Sequence, residues 1–149
     1  MYVDKQAEFS DAQAVTATAI STNVMDLVSN SSGKNPIRDI GTGQDVYLVV
    51  TTTVQPTAAG AATVTVTLES DDNAALSSPT VHFTSKAFAL AEMAPGVGMV
   101  AIKLPAGNYE RYLGVRYTVG TGPLTAGNFD AFLTTDVASW RAYDRNYTV

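Results

Sequence analysis

No cysteine occurs in the sequence, which excludes a disulfide framework, a thiolate metal site and a cysteine nucleophile. Histidine occurs once, at His82, so a site needing two imidazoles from one chain is excluded as well. Charge is sparse: 15% of residues are Asp, Glu, Lys or Arg, against roughly 25% in ordinary soluble domains. Nine basic residues stand against fourteen acidic ones, for a net charge of −5. Binding to a phosphate backbone draws on clustered Lys and Arg that displace counterions. This chain has few and scatters them, so neither nucleic acid nor an anionic membrane surface is an expected partner. No run reaches the roughly 18 apolar residues of a membrane-spanning helix. The opening MYVDKQAEFSDAQ carries Asp4, Lys5, Glu8 and Asp11 where a secretory signal would be apolar. The expectation is a soluble protein made in the cytoplasm.

What is present is period two. In ATVTVTLES (62–70), Val64, Val66 and Leu68 point one way and Thr63, Thr65, Thr67 and Glu69 the other, the pattern of a half-buried strand. Threonine is β-branched and polar, which suits the wet face of a strand. DVYLVVTTTV (45–54) is apolar through its first half, and so predicts a strand covered on both faces, at the centre of a sandwich or at an interface. Residues 98–104, 111–119 and 129–133 alternate similarly, and weaker candidates are 15–20, 22–27, 81–84 and 87–91. Breaks rich in Gly, Pro, Ser and Asn separate them, as at APGVG (94–98) and GTGPLTAGN (120–128). About eight short strands with such punctuation predict an all-β, single-domain antiparallel β-sandwich over 1–149, jelly-roll-like in its two sheets. An N-terminal arm over about 1–12 and a tail over about 137–149 are expected to extend from it.

Chemistry finds few footholds. His82 lies in TVHFT on a strand candidate, and a jelly-roll metal site needs two or three histidines with a carboxylate. Glu69, Asp71 and Asp72 lack the alternating ligands and distal glutamate of a calcium loop. The GTGQ, GVG and GTGP stretches lack the P-loop lysine and a following helix. No GxSxG elbow occurs. Catalytic residues, cofactor and metal are all expected to be none. The ends carry more: WRAYDRNYTV holds Trp140, Arg141, Tyr143, Arg145 and Tyr147, and the opening holds Tyr2 and Phe9. Trp, Tyr and Arg are the types enriched at interface hot spots. These seven residues are the candidate partner interface, although a final strand packed on the domain's own core would explain the tail equally well.

Several stretches together look like a known family. VDKQAEFSDAQAVTATAISTNVMDL, RDIGTGQDVYLVV, LESDDNAALSSP and LPAGNYERYLGVRYTVGTGPLTAGNFDAFLTTD resemble the Bbp16-type capsid cement, or decoration, proteins of tailed bacteriophages. The resemblance runs from Val3 to about Asp136, and its most specific pieces are RDIGTG (38–43) and RYLGVRYTVGTGP (111–123). It implies a jelly-roll-like sandwich without catalytic residues. It also implies homodimers or homotrimers bound to the major capsid protein on the outer surface of the virion shell. The competing reading is a carbohydrate-binding jelly-roll module of a phage tail or secreted protein, with Tyr109, Tyr112 and Trp140 as aromatic platforms. A small enzyme of cupin or lyase type ranks below both.

Overall fold

The computed structural model describes residues 3–27, 39–40, 43 and 45–137. In chain order the strands are β1 (Glu8–Ala14), β2 (Ala19–Ile20), β3 (Met25–Asp26), β4 (Asp39–Ile40), β5 (Tyr47–Thr57) and β6 (Thr63–Asp71). Then follow β7 (Thr80–Thr84), β8 (Phe88–Ala89), β9 (Gly98–Lys103), β10 (Gly107–Asn108), β11 (Tyr112–Gly120) and β12 (Ala126–Thr134). Single 3-10 turns at Lys5–Ala7 and Leu90–Glu92 complete the described elements.

Pairing is antiparallel throughout. One sheet runs β1-β12-β5-β9; the other has β2 and β3 on one side of β11, then β6, then β7 and β8. Thus the first strand pairs with the last (β1 with β12), and β2 and β3 pair with β11. Further in, β5 pairs with β9 and β6 with β7. A long antiparallel ribbon folded back in this nested order and rolled into two sheets is a jelly roll. The short β4–β10 pair stands apart from both sheets.

Alternation explains the core. Val64, Val66 and Leu68 of β6 and Leu113, Val115 and Tyr117 of β11 face Leu48 and Val50 of β5 and Phe129 and Ala131 of β12 across the sandwich. Burying a side chain of this size stabilises by about 1.5–3 kcal/mol, and the Tyr117 and Phe129 rings stack at 5.3 Å between centroids. The expectation of a strand covered on both faces holds for β5, where successive residues Val49 and Val50 are both fully buried.

The predicted N-terminal arm differs from what is found. Glu8–Ala14 is the edge strand of the first sheet, not an extension, and Phe9 sits in the core. Its alternation is scrambled by irregularities between Glu8 and Ser10 and again before Gln13, with Ala12 at φ 44°. Side chains replace the missing ladder: Ala12 N donates to Asp130 Oδ1 at 2.6 Å, and Asn128 Nδ2 donates to Ala12 O at 2.8 Å. A bulge of this kind leaves residues unpaired and re-aims the strand.

Candidate functional site

The nearest approach to catalytic chemistry lies where β6, β7 and the segment before β11 meet. Ser70 and Thr80 are register partners, which places Ser70 beside His82. Ser70 Oγ and His82 Nε2 are 2.7 Å apart. Glu110 N donates to the same Oγ at 3.1 Å, while the Glu110 carboxylate accepts from Thr80 Oγ1 at 2.6 Å. The His82 ring packs against Tyr109 at 4.1 Å, and Tyr109 Oη donates to Pro105 O at 2.6 Å. Serine, imidazole and carboxylate are the parts of an activated nucleophile. Here Ser70 is 0% exposed and its lone pair is engaged by a backbone N–H. Burial lowers the His82 pKa from its ordinary value, with Glu110 pulling weakly the other way. The arrangement is a satisfied polar cluster closing the interior, consistent with a structural role for His82.

The acidic group at 69–72 is divided between two tasks. Glu69 accepts from Arg116 Nε at 2.8 Å and from Thr67 Oγ1 at 2.6 Å, and Arg116 Nη2 donates to Leu76 O at 2.7 Å. Asp71 instead accepts from Asn73 N and Ser78 N, at 3.0 and 2.8 Å. Those backbone donors hold its carboxyl below the usual range. The turn 72–79 is thereby strapped onto the second sheet, where the Leu76 side chain fills the space above Gly114. A Cβ at Gly114 would come within 2.7 Å of Leu76 Cδ1. Among the described residues no group of three or more His, Asp or Glu is placed to hold a metal ion.

Two open grooves, each of about 500 Å³, flank the first 3-10 turn and share Gln6 and Met25. One runs along Lys5, Glu8 and Asn23 to Leu27; the other lies against Val46 and Leu133–Thr135. Lys5 Nζ bridges to Glu8 at 2.7 Å, and Arg111 Nη2 to Asp26 at 3.0 Å. Both are solvent-facing pairs of small energetic value. The grooves are mixed in polarity and lie at the end of the sandwich where β12 finishes.

Of the expected interface residues, Phe9 is fully buried in the core and is unavailable as a surface anchor, because the Glu8–Ala14 strand turns it inward. Tyr2, Trp140, Arg141, Tyr143, Arg145 and Tyr147 lie outside the described residues. Of the aromatic platforms suggested for a sugar, Tyr109 is 1% exposed and packed under His82. Tyr112 carries the Arg111 guanidinium over its ring at 4.8 Å.

Sequence reasoning foresaw one feature of this surface in part: it expected β5 to be covered on both faces but did not place Phe132 beside it. Val49 and Phe132 are register partners whose neighbours Leu48, Val50, Ala131 and Leu133 point into the sandwich. The pair therefore points outward, yet Val49 is 0% and Phe132 4% exposed. The unbroken apolar run YLVV was the available signal. The family model described as Bbp16 matches residues 9–133. No curated protein matches the chain.

Proposed function

Taking as premise that the chain belongs to the Bbp16 family, we propose that it is a structural protein of a phage virion, a cement protein on the outside of the capsid. The observation that carries this reading is the coincidence of two spans. The family match covers residues 9–133 and the sandwich runs from Glu8 to Thr134, so the unit the family shares is the whole jelly roll and not a graft upon it. Its partners are the major capsid protein and further copies of itself, as a dimer or trimer.

The mechanism is adhesion. A ligand that binds assembled shell and not free subunits stabilises the assembled state by mass action. Each contact need only be modest, because a multivalent molecule gains from effective concentration once one site is engaged. The nested antiparallel pairing and the polar ties between strands make a stiff body, which transmits load between capsomers better than a hinged one. An acidic protein outside the shell is not asked to meet the packaged genome.

Sedimentation with shells of the same phage that lack this protein tests the reading. Saturable binding at a fixed ratio to the major capsid protein is expected. Recovery of the protein entirely in the supernatant, across conditions where the shells stay intact, overturns it.

A further inference from the structure

His82 stands at an irregularity of β7, an edge strand of the second sheet. Leu68 pairs with Phe83 and Glu69 with Val81, so His82 is the extra residue of a bulge. The bulge leaves Val81 in solvent, 50% exposed. It lays the half-buried imidazole over Ser70 and Tyr109, with Nε2 at 2.7 Å from Ser70 Oγ and the two rings 4.1 Å apart. The backbone then decides where the protons are. Glu110 N carries a hydrogen of necessity and donates it to Ser70 Oγ at 3.1 Å. Ser70 is 0% exposed, so its own hydroxyl proton is not handed to solvent. Among the described residues its acceptor is His82 Nε2. The neutral ring therefore carries its hydrogen on Nδ1.

We propose that His82 is a proton-operated latch on the edge strand β7. Neutral, as the Nδ1–H tautomer, it accepts from Ser70 and holds the bulge against β6. As the imidazolium it gives up that bond and releases Thr80–Thr84 from the edge of the sheet. A proton on Nε2 cannot leave the contact as it was. Two N–H groups would converge on Ser70 Oγ, and the serine's own hydrogen would be left buried without an acceptor, a costly state. Swinging the ring outward relieves both faults and sacrifices the Ser70 bond and the Tyr109 contact. The titratable groups facing the imidazole are Tyr109 and Glu110, both on the segment ahead of β11. Burial opposes the imidazolium, and Glu110 favours it more weakly. Glu69 and Asp71 flank Ser70 on β6 and by alternation point away from it. Arg116 holds the first, and the Asn73 and Ser78 amides hold the second. The rest of β7, Thr80, Val81, Phe83 and Thr84, carries no charge. This inference does not depend on the capsid role.

His82 is the only histidine, so nitrogen NMR of the isotope-labelled full chain reads its ring without ambiguity. At about pH 8, well above the ordinary imidazole range, Nε2 should be bare and Nδ1 protonated, the tautomer that a free histidine side chain favours less. Hydrogen exchange reads the release. On acidification to about pH 5, protection of the β7 amides should fall several-fold as the imidazolium forms. Protection of Leu68 and Val115, register partners in the β6–β11 ladder, should hold. His82→Gln should abolish the fall; should that variant fail to fold, both measurements on the parent chain still decide the matter. A proton on Nε2 at the higher pH overturns the proposal. So does an imidazolium that forms with β7 protection unchanged, or a fall that persists in His82→Gln. Loss of protection spread equally over both sheets overturns it as well, since the whole fold and not the edge strand would then be opening.

Discussion

Tyr117 Oη donates a hydrogen bond to Ser10 Oγ at 3.0 Å inside the sandwich, joining the middle of one sheet to the edge strand of the other. Ser10 Oγ in turn donates to Gln13 Oε1 at 2.7 Å, and Gln13 Nε2 donates to Ile20 O at 2.8 Å. The relay crosses from β11 through β1 to β2, so the two sheets are tied by polar groups as well as by their apolar faces. Burial pushes the Tyr117 phenol well above its ordinary pKa, which keeps it a neutral donor at neutral pH.

Tyr117→Phe removes the donor and leaves Ser10 bonded to Gln13. A loss of about 1 kcal/mol is expected, the usual net worth of one hydrogen bond, measured by urea unfolding. The slope of the transition should be unchanged, because the same surface is exposed on unfolding.

Among the described residues, Arg116 is the ion-pair partner of the buried Glu69, at 2.8 Å. Arg116→Met should cost about 2–3 kcal/mol, short of the 3–5 expected for a fully buried pair because the arginine is partly solvated. It also frees Leu76 O and the 72–79 turn, so limited proteolysis should cut there first. Arg116→Met with Glu69→Gln should recover part of the loss, since no unpaired charge is then left inside.

Thr52 has a buried hydroxyl with no hydrogen-bond partner among the described residues. Thr52→Val keeps the β-branched shape and removes the desolvated oxygen. A gain of about 1 kcal/mol in unfolding free energy is expected, which is unusual for a core substitution and hence a sharp check on the interior.

Gly127 adopts φ +151° at an irregularity of β12, and a Cβ there would meet Pro56 Cβ at 2.8 Å and the Pro56 backbone Cα at 3.0 Å. Gly127→Ala therefore strains two strands at once. A loss of about 2 kcal/mol or more is expected from overpacking against backbone, read as a lowered melting temperature.

His82 gives stability a pH dependence of definite sign. Its folded pKa lies below the ordinary imidazole value of 6.5 because burial disfavours the imidazolium. The unfolded chain therefore takes up a proton more readily. Stability is complete above about pH 6.5, the unfolded value, and falls as pH drops from there through the folded pKa. Melting temperatures from pH 8 to pH 5 should decline in the parent chain and stay flatter in His82→Gln. Asp71, whose pKa is also lowered, adds a separate loss only below its unfolded value of 3.8.

The long strands were legible because their alternation is clean: β6, expected at 62–70, is Thr63–Asp71, and β11, expected at 111–119, is Tyr112–Gly120. Elsewhere side chains displaced the ladder and left no periodic trace. Residues 15–20 and 22–27 read as strands, but only Ala19–Ile20 and Met25–Asp26 pair. Between them Ser21 Oγ accepts from Val115 N and donates to Asn23 O, which breaks the run. The strand β1 was hidden by its irregular pairing and polar composition. The covered outer stripe at Val49 was half-legible: the apolar run announced a second cover but not its source. The polar cluster around Ser70 could not be read at all, because its members are joined by strand register across separations of 12 and 40 residues.

Calorimetry of phage shells with and without this protein tests adhesion most directly. Shells lacking it should disassemble at a lower temperature, and adding back the purified chain should restore the higher transition in proportion to occupancy. Identical transitions at full occupancy would contradict a cementing role.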